Sequence, residues 1–280
     1  MKRFAVIGDP IAHSLSPVLH QEVYSQLELD ASFERTRVKP DNLHSFMSSN
    51  KLDGFNVTIP HKQSVIPFLD ELDESAQIIG AVNCVHKGKG YNTDWIGFLK
   101  AMEINKIDLN GKDCTILGAG GAAKAIAYAF IISNVKSISI INRSQENANQ
   151  LSQWIQNNSN IRVTTTTPEH LSAVADLFIN CTPLGMWPDT EQIPMNMDLV
   201  NNNHILVDTI YNPIETQWLK SGNAKGAKTI GGLDMFIAQG LASADIWFGK
   251  KISNQINVDI IRQILIEGKR FKRFPSIHFP

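Results

Sequence analysis

The sequence predicts an α/β protein built from two units. Short apolar runs alternate with amphipathic stretches almost throughout, the pattern of strands joined by helices. A small-residue loop, Gly118-Ala119-Gly120-Gly121-Ala122-Ala123, sits between a strand-like run and a helix-like run, as the first turn of a nucleotide-binding sheet requires. At 280 residues the chain exceeds the usual single domain, so one large or two modest domains are expected, each with its own core.

Taken in order, Phe4 to Ile7 is a buried-strand candidate. Ser16-Pro17 opens a helix, with serine expected at the N-cap and proline at N1, and Val18, Leu19, Val23 and Leu27 supply its apolar face. A strand over Ser32 to Val38, a helix from Pro40 and a strand over Phe55 to Thr58 complete a small βαβ sheet. A helix over Trp95 to Met102 leads out of this unit, and Asp108 to Lys112 is a polar turn. The second unit begins with a strand from Cys114 to Leu117, followed by the glycine-rich turn and a helix over Ala122 to Ile132. A strand over Ser137 to Ile141, a helix over Gln145 to Gln156, and strands over Leu177 to Asn180 and Ile205 to Asp208 come next. The run Thr164 to Thr167 reads as a strand end. Helices over Leu233 to Phe248 and Ile256 to Glu267 fit either unit.

Composition excludes several classes. A chain that is 43% hydrophobic and 19% charged, with a formal charge of −1, is an ordinary globular protein without the basic excess of a nucleic-acid binder. Lys269, Arg270, Lys272 and Arg273 read as a solvated tail. Cys84, Cys114 and Cys181 are far apart and contain no C-x-x-C, which favours reduced thiols over a disulfide framework or zinc site. His13, His20 and His61 lack metal-ligand company. The run after Met1-Lys2-Arg3 is too short for a signal-peptide core, and no stretch approaches the ~18 apolar residues of a membrane span. A cytoplasmic protein is expected, with no membrane partner.

Five segments are candidates to carry chemistry. In the loop 118–123, small residues let backbone N–H groups approach a pyrophosphate at a helix N-terminus; the alternative is a tight strand–helix junction. The next strand ends at Asn142-Arg143-Ser144, where an NAD site usually has an acidic residue; a guanidinium there suits a 2′-phosphate, so NADP(H) is favoured over NAD. The alternative is an exposed Arg143 beside a Ser144 that caps the following helix. Ser14 and Ser16 place two hydroxyls at a helix start, either as a cap or as a site for a small carboxylate. Lys62 follows a turn after a strand; by residue type alone it reads as a surface charge, and Asn92-Thr93-Asp94 reads as a helix cap.

Together these segments resemble the shikimate dehydrogenase family along the whole chain. The resemblance rests on Ile7 to Pro17, on Asn56-Val57-Thr58-Ile59-Pro60-His61-Lys62, on Gly80-Ala81-Val82-Asn83 and on Asn92-Thr93-Asp94. It continues through the glycine-rich loop, Asn142-Arg143-Ser144, Asn180 to Met186, Tyr211-Asn212-Pro213, Gly231 to Met235 and Gln239, in the family's order. It implies a substrate domain over 1–103 and 237–280, a Rossmann-like NADP-binding domain over 104–236, and an active site in the cleft between them. The implied reaction is the NADPH-dependent reduction of 3-dehydroshikimate to shikimate, on the route to chorismate and the aromatic amino acids.

By the same resemblance, Ser14 and Ser16 hold the substrate carboxylate. Thr58, Lys62, Asn83 and Asp94 contact the ring hydroxyls, and Tyr211 and Gln239 close the site. Lys62 and Asp94 are the expected catalytic pair, Lys62 donating a proton to the developing alkoxide or stabilising its charge. Gly118, Ala119, Gly120, Gly121 and Ala122 are expected at the pyrophosphate, and Asn142, Arg143, Ser144 and Asn147 at the adenosine ribose and its phosphate. Thr209 and Gly232 are expected at the nicotinamide. Two positions depart from the family pattern: Asn147 stands where a second basic residue is usual, and Cys84 stands where threonine is common. Alternatives are an NAD-dependent quinate or broad shikimate/quinate dehydrogenase and a silent NADP(H)-responsive binding protein; a methylene-tetrahydrofolate dehydrogenase fits the paired serines less well. The partner expected is a small hydroxy acid, and the chain is expected to be a monomer or homodimer.

Overall fold

The computed structural model describes residues 1–171 and 174–270, with side chains as far as 267; the basic cluster at Lys269, Arg270, Lys272 and Arg273 lies outside the described side chains. Phe4 to Ile7 is buried because β1 (Lys2–Gly8) lies inside a sheet, with a parallel neighbour on each side. After it come α1 (Ser16–Gln26), β2 (Ala31–Arg37), α2 (Leu43–Ser49), β3 (Gly54–Val57) and the single-turn α3 (His61–Ser64). Then follow β4 (Glu71–Leu72), α4 (Glu74–Ile79), β5 (Cys84–His86) and β6 (Lys89–Tyr91). Among the described residues the sheet has six strands in the order β2-β1-β3-β5-β6-β4. The βαβ core anticipated from the sequence is thus extended by an antiparallel hairpin, β5 on β3 and β6 on β5. Asp73 caps α4 by accepting the N–H groups of Ser75 and Ala76, and Gly80 ends it with a left-handed φ of 67°, which favours glycine. That turn delivers the chain into Ala81-Val82-Asn83 and β5.

The second sheet is entirely parallel. Its elements are α5 (Asp94–Ile104), β7 (Asp113–Leu117), α6 (Gly121–Ile132), β8 (Ser137–Ile141), α7 (Gln145–Asn158), β9 (Arg162–Thr166), β10 (Leu177–Asn180), β11 (Ile205–Asp208), α8 (Gln217–Ala224) and β12 (Lys228–Ile230). The strand order β12-β11-β10-β7-β8-β9 is that of a doubly wound nucleotide-binding sheet, with its switch point between β7 and β10. Strands β7, β8 and β10 are buried along almost their whole length, as strands covered on both faces must be. On one side Phe98 and Met102 of α5 pack with Ile126 and Phe130 of α6, the Phe98 and Phe130 rings meeting edge-on at 5.6 Å. Two further helices follow, α9 (Leu233–Phe248) and α10 (Val258–Arg270).

By packing, the chain divides into Met1–Thr93 with Gln239–Pro280, and Asp94–Ala238. Helix α9 starts in the second group, where Met235 packs on the core, and ends in the first, where the indole of Trp247 stacks on Phe4 at 4.7 Å. Among the described residues, no helix is long and apolar enough to cross a membrane.

Candidate active site

In the first unit, the C-terminal ends of parallel β1 and β3 bring two sequence motifs together. Thr58 donates its N–H to Ile7 O at 3.0 Å and accepts the N–H of His61 at 2.9 Å. Gly8 permits this approach, since a Cβ there would lie 2.6 Å from Thr58 Cγ2. His61 is fully buried, with Nε2 2.6 Å from Val38 O, so it anchors α3 and leaves the neighbouring Lys62 half-buried. The Lys62 carbonyl accepts the N–H of Val82 at 2.7 Å, which ties α3 to the segment that carries Asn83.

Ser16 does not cap α1 as the sequence led us to expect. It is the first helical residue, and Leu15 holds the cap position without a side-chain bond. The reason is local: the Ser14 hydroxyl accepts the N–H of Ser16 at 3.3 Å and donates to Ser16 Oγ at 3.2 Å, so Ser14 turns the chain one residue earlier. The two hydroxyls therefore sit side by side, and the Arg35 guanidinium, donating through Nε to Ser14 O at 2.8 Å, adds positive charge to the turn.

Asn83 is 2% exposed and is held at both ends of its carboxamide. Its Oδ1 accepts the backbone N–H of Thr93 at 2.7 Å, and its Nδ2 donates to Thr93 Oγ1 at 2.9 Å and to Gln239 Oε1 at 3.4 Å. Asp94, 8% exposed, is the first residue of α5. Cys84 beside Asn83 is fully buried, and burial pushes its thiol up to about 12, which makes it a packing residue.

In the second unit, Gly118 ends β7 with φ +107°, a conformation that favours glycine, and a Cβ there would lie 3.0 Å from Thr182 Cγ2. At Gly120 and Gly121 a Cβ would meet no atom within 4 Å. Packing within the chain does not require those two glycines; open backbone at the N-terminus of α6 fits a pyrophosphate. Arg143 is exposed at the end of β8, and Ser144 caps α7 by accepting the N–H of Asn147 at 3.3 Å, the arrangement the alternative reading of this turn expected. Asn142 donates to Ser144 O at 2.9 Å and shapes the turn.

Beyond the switch point, a buried cluster shapes the loops after β10 and β11. Thr209 donates its N–H and its hydroxyl to Asn180 O, at 3.1 and 2.9 Å. The Asn180 amide donates to Leu184 O and Asp208 Oδ1, both at 3.1 Å. Asp208, 1% exposed, also accepts from the Ile210 N–H and the Thr216 hydroxyl. Burial pushes its carboxyl up to about 6 against these donors. Gly232 lies against Thr209, where a Cβ would clash with Thr209 O. Tyr211 stacks on Phe236 at 4.3 Å, and burial raises its phenol to about 12. Sequence reasoning quoted Asn180 within a motif without giving it a part and left out Asp208; a charged residue ending an apolar strand was the available signal. Among the described residues, no group of three or more His, Cys, Asp or Glu side chains could hold a metal ion.

Comparison with known proteins agrees with this geometry in both units. Residues 6–85 match the shikimate dehydrogenase substrate binding domain, and residues 100–209 match the shikimate / quinate 5-dehydrogenase family. The shikimate dehydrogenase (NADP(+)) of Methanosphaera stadtmanae is 39% identical over 257 residues, covering 88% of this chain and 90% of that protein. A crystal structure of a shikimate dehydrogenase in complex with NADP+ superposes with a TM-score of 0.90 at 35% identity, covering 96% of each chain. That of the Thermus thermophilus shikimate 5-dehydrogenase in complex with NADP(H) and shikimate gives 0.82 at 32% identity, covering 94% of this chain and 99% of that one. With matches to the substrate-binding and the dehydrogenase parts, and relatives aligned over nearly its full length, the chain belongs to the shikimate dehydrogenase family.

Proposed function

We propose that this protein catalyses the reversible, NADPH-dependent reduction of 3-dehydroshikimate to shikimate, an oxidoreductase step on the route to chorismate. The observation that carries the reading is the retention of both halves of the chemistry: the Ser14–Ser16 turn and the Thr58–Lys62 segment on one sheet, and the open glycine loop with Arg143 on the other. Ser14 and Ser16 hold the carboxylate, with the Arg35 guanidinium favouring its charge. Thr58, Asn83 and Gln239 hydrogen-bond the ring hydroxyls, and Tyr211 packs against the ring.

Bound NADPH supplies the hydride. The chain supplies the rest. Reduction of the ketone turns its carbonyl oxygen into an alkoxide that must be stabilised and protonated. The Lys62 ammonium does both, and in the oxidative direction it takes the proton back. Asp94 accepts a hydrogen bond from the same substrate hydroxyl and so assists the proton transfer. Gly118, Ala119, Gly120, Gly121 and Ala122 carry the pyrophosphate. Asn142, Arg143, Ser144 and Asn147 carry the ribose and its 2′-phosphate, with Arg143 giving the preference for NADP. Thr209 and Gly232 border the nicotinamide. The free thiols Cys84, Cys114 and Cys181 support a reducing, cytoplasmic setting.

The test is product identity. Incubation with shikimate and NADP should yield 3-dehydroshikimate and NADPH in equal amounts. Cofactor binding with no oxidation of shikimate would overturn the reading in favour of a silent binding protein.

A further inference from the structure

The carboxamides of Asn83 and Gln239 meet in a buried cluster whose other members, Asn56, Thr93 and Ser243, have no part in the chemistry above. Ser243 is fully buried, four residues after Gln239 in α9. Its hydroxyl donates to Gln239 O at 3.1 Å and accepts from Asn56 Nδ2 at 2.9 Å. A serine bonding the carbonyl four residues back is common in helices and implies nothing more. Here the same hydroxyl is also fastened to β3, because Asn56 donates its other amide hydrogen to Asn83 O at 3.1 Å. The Thr93 hydroxyl reaches the same Gln239 carbonyl at 3.0 Å and lies 3.3 Å from Ser243 Oγ.

This wiring decides which end of each carboxamide points where. The Thr93 N–H can only donate, so it identifies the Asn83 oxygen, and Asn83 Nδ2 is then the donor to Gln239 Oε1. The oxygen of Gln239 is turned towards Asn83. Its nitrogen, a donor only, is the end suited to a ketone or hydroxyl oxygen.

We propose that Ser243 is a positioning residue for substrate binding. By bridging Asn56 on β3 to the Gln239 carbonyl on α9, it holds the Gln239 side chain against Asn83. The proposal rests on the reading that Gln239 binds substrate.

The experiment is a double-mutant cycle with Ser243→Ala and Gln239→Ala, following KM for shikimate and for NADP separately. Alanine keeps the helix and nearly the volume, and an unchanged KM for NADP with a cooperative melt shows that the fold is retained. We expect Ser243→Ala to raise KM for shikimate about fivefold, the effect of one net hydrogen bond. Gln239→Ala should raise it further, and the double variant should match Gln239→Ala alone, because no side chain is left to orient. Equal effects of Ser243→Ala with and without Gln239 would make it a general structural residue and overturn the proposal. So would an unchanged KM for shikimate in Ser243→Ala while Gln239→Ala raises it. An unchanged KM for shikimate in Gln239→Ala would remove the substrate reading itself and the proposal with it.

Discussion

Lysine side chains are most often solvated at protein surfaces, so the role proposed for Lys62 needs a physical cause. The cause lies in its neighbours: buried His61 bonds Val38 O, the Lys62 carbonyl receives the Val82 N–H, and the ammonium therefore hangs from a fixed root. Fixing a donor in advance is what lets it act on a charge that exists only in the transition state. Lys62→Ala and Asp94→Asn should each lower kcat for shikimate oxidation by about two to four powers of ten, measured on variants with wild-type circular dichroism. Wild-type turnover in either would remove its role. Arg143, exposed at the end of β8, should act on the 2′-phosphate alone. Arg143→Ala should raise KM for NADP about tenfold and leave that for NAD unchanged, a loss typical of a charge-assisted pair. At this scale the sequence exposed the named motifs because they are long and ordered. It gave no role to the polar residues that orient them. Asn56, Thr93, Ser243 and Asp208 occupy buried positions that periodicity assigns to apolar side chains, and only the fold pairs them across distant segments.

Strands and their ends decide where these residues meet. Parallel β1 and β3 put Ser14 and Thr58 after neighbouring C-terminal ends, and β10 and β11 do the same for Asn180 and Asp208. Asp208 gives the second pair a pH signature. Its folded value is raised from 3.8 to about 6, so its contribution to stability is fully present below about pH 4 and is lost as pH rises through about 6. The variant Asp208→Asn has no such proton to lose. Wild-type stability relative to that variant should therefore fall by up to ~3 kcal/mol between about pH 4 and pH 7 in urea melts. A difference that is flat with pH would mean that Asp208 ionises freely. Gly232→Ala meets a backbone oxygen that cannot rotate away, so it should cost about 1–3 kcal/mol and raise KM for NADP by displacing Thr209; an unchanged denaturation midpoint would contradict that contact. The sequence displayed the long elements of the second sheet, since its buried strands are rich in apolar residues and bounded by turn signals. It did not display β5, β6 and β12, because runs of three residues carry almost no periodic signal, and it also missed the eight-residue α8. The α1 cap was misplaced by one residue because residue type favours Ser16, whereas the Ser14 hydroxyl takes the Ser16 N–H and the cap falls on Leu15, which offers no capping side chain.

At the scale of the molecule, two sheets of different design carry two tasks. The mixed sheet presents hydroxyls, amides and an ammonium suited to a small hydroxy acid, and the doubly wound parallel sheet presents an open glycine turn and an arginine suited to a phosphorylated dinucleotide. Neither half determines the reaction alone. A glycine loop fits many dehydrogenases, and a lysine after a turn fits none in particular; their conjunction in one chain of 280 residues narrows the chemistry to a hydride transfer coupled to a proton transfer on a hydroxy acid. The activity is therefore defined by a pair, one substrate with one cofactor. It is tested most directly by initial rates of nicotinamide reduction with shikimate or quinate, each with NADP or NAD, at matched concentrations. Shikimate with NADP should have the highest kcat/KM, by about tenfold or more over shikimate with NAD. A higher kcat/KM for quinate with NAD than for shikimate with NADP would contradict it.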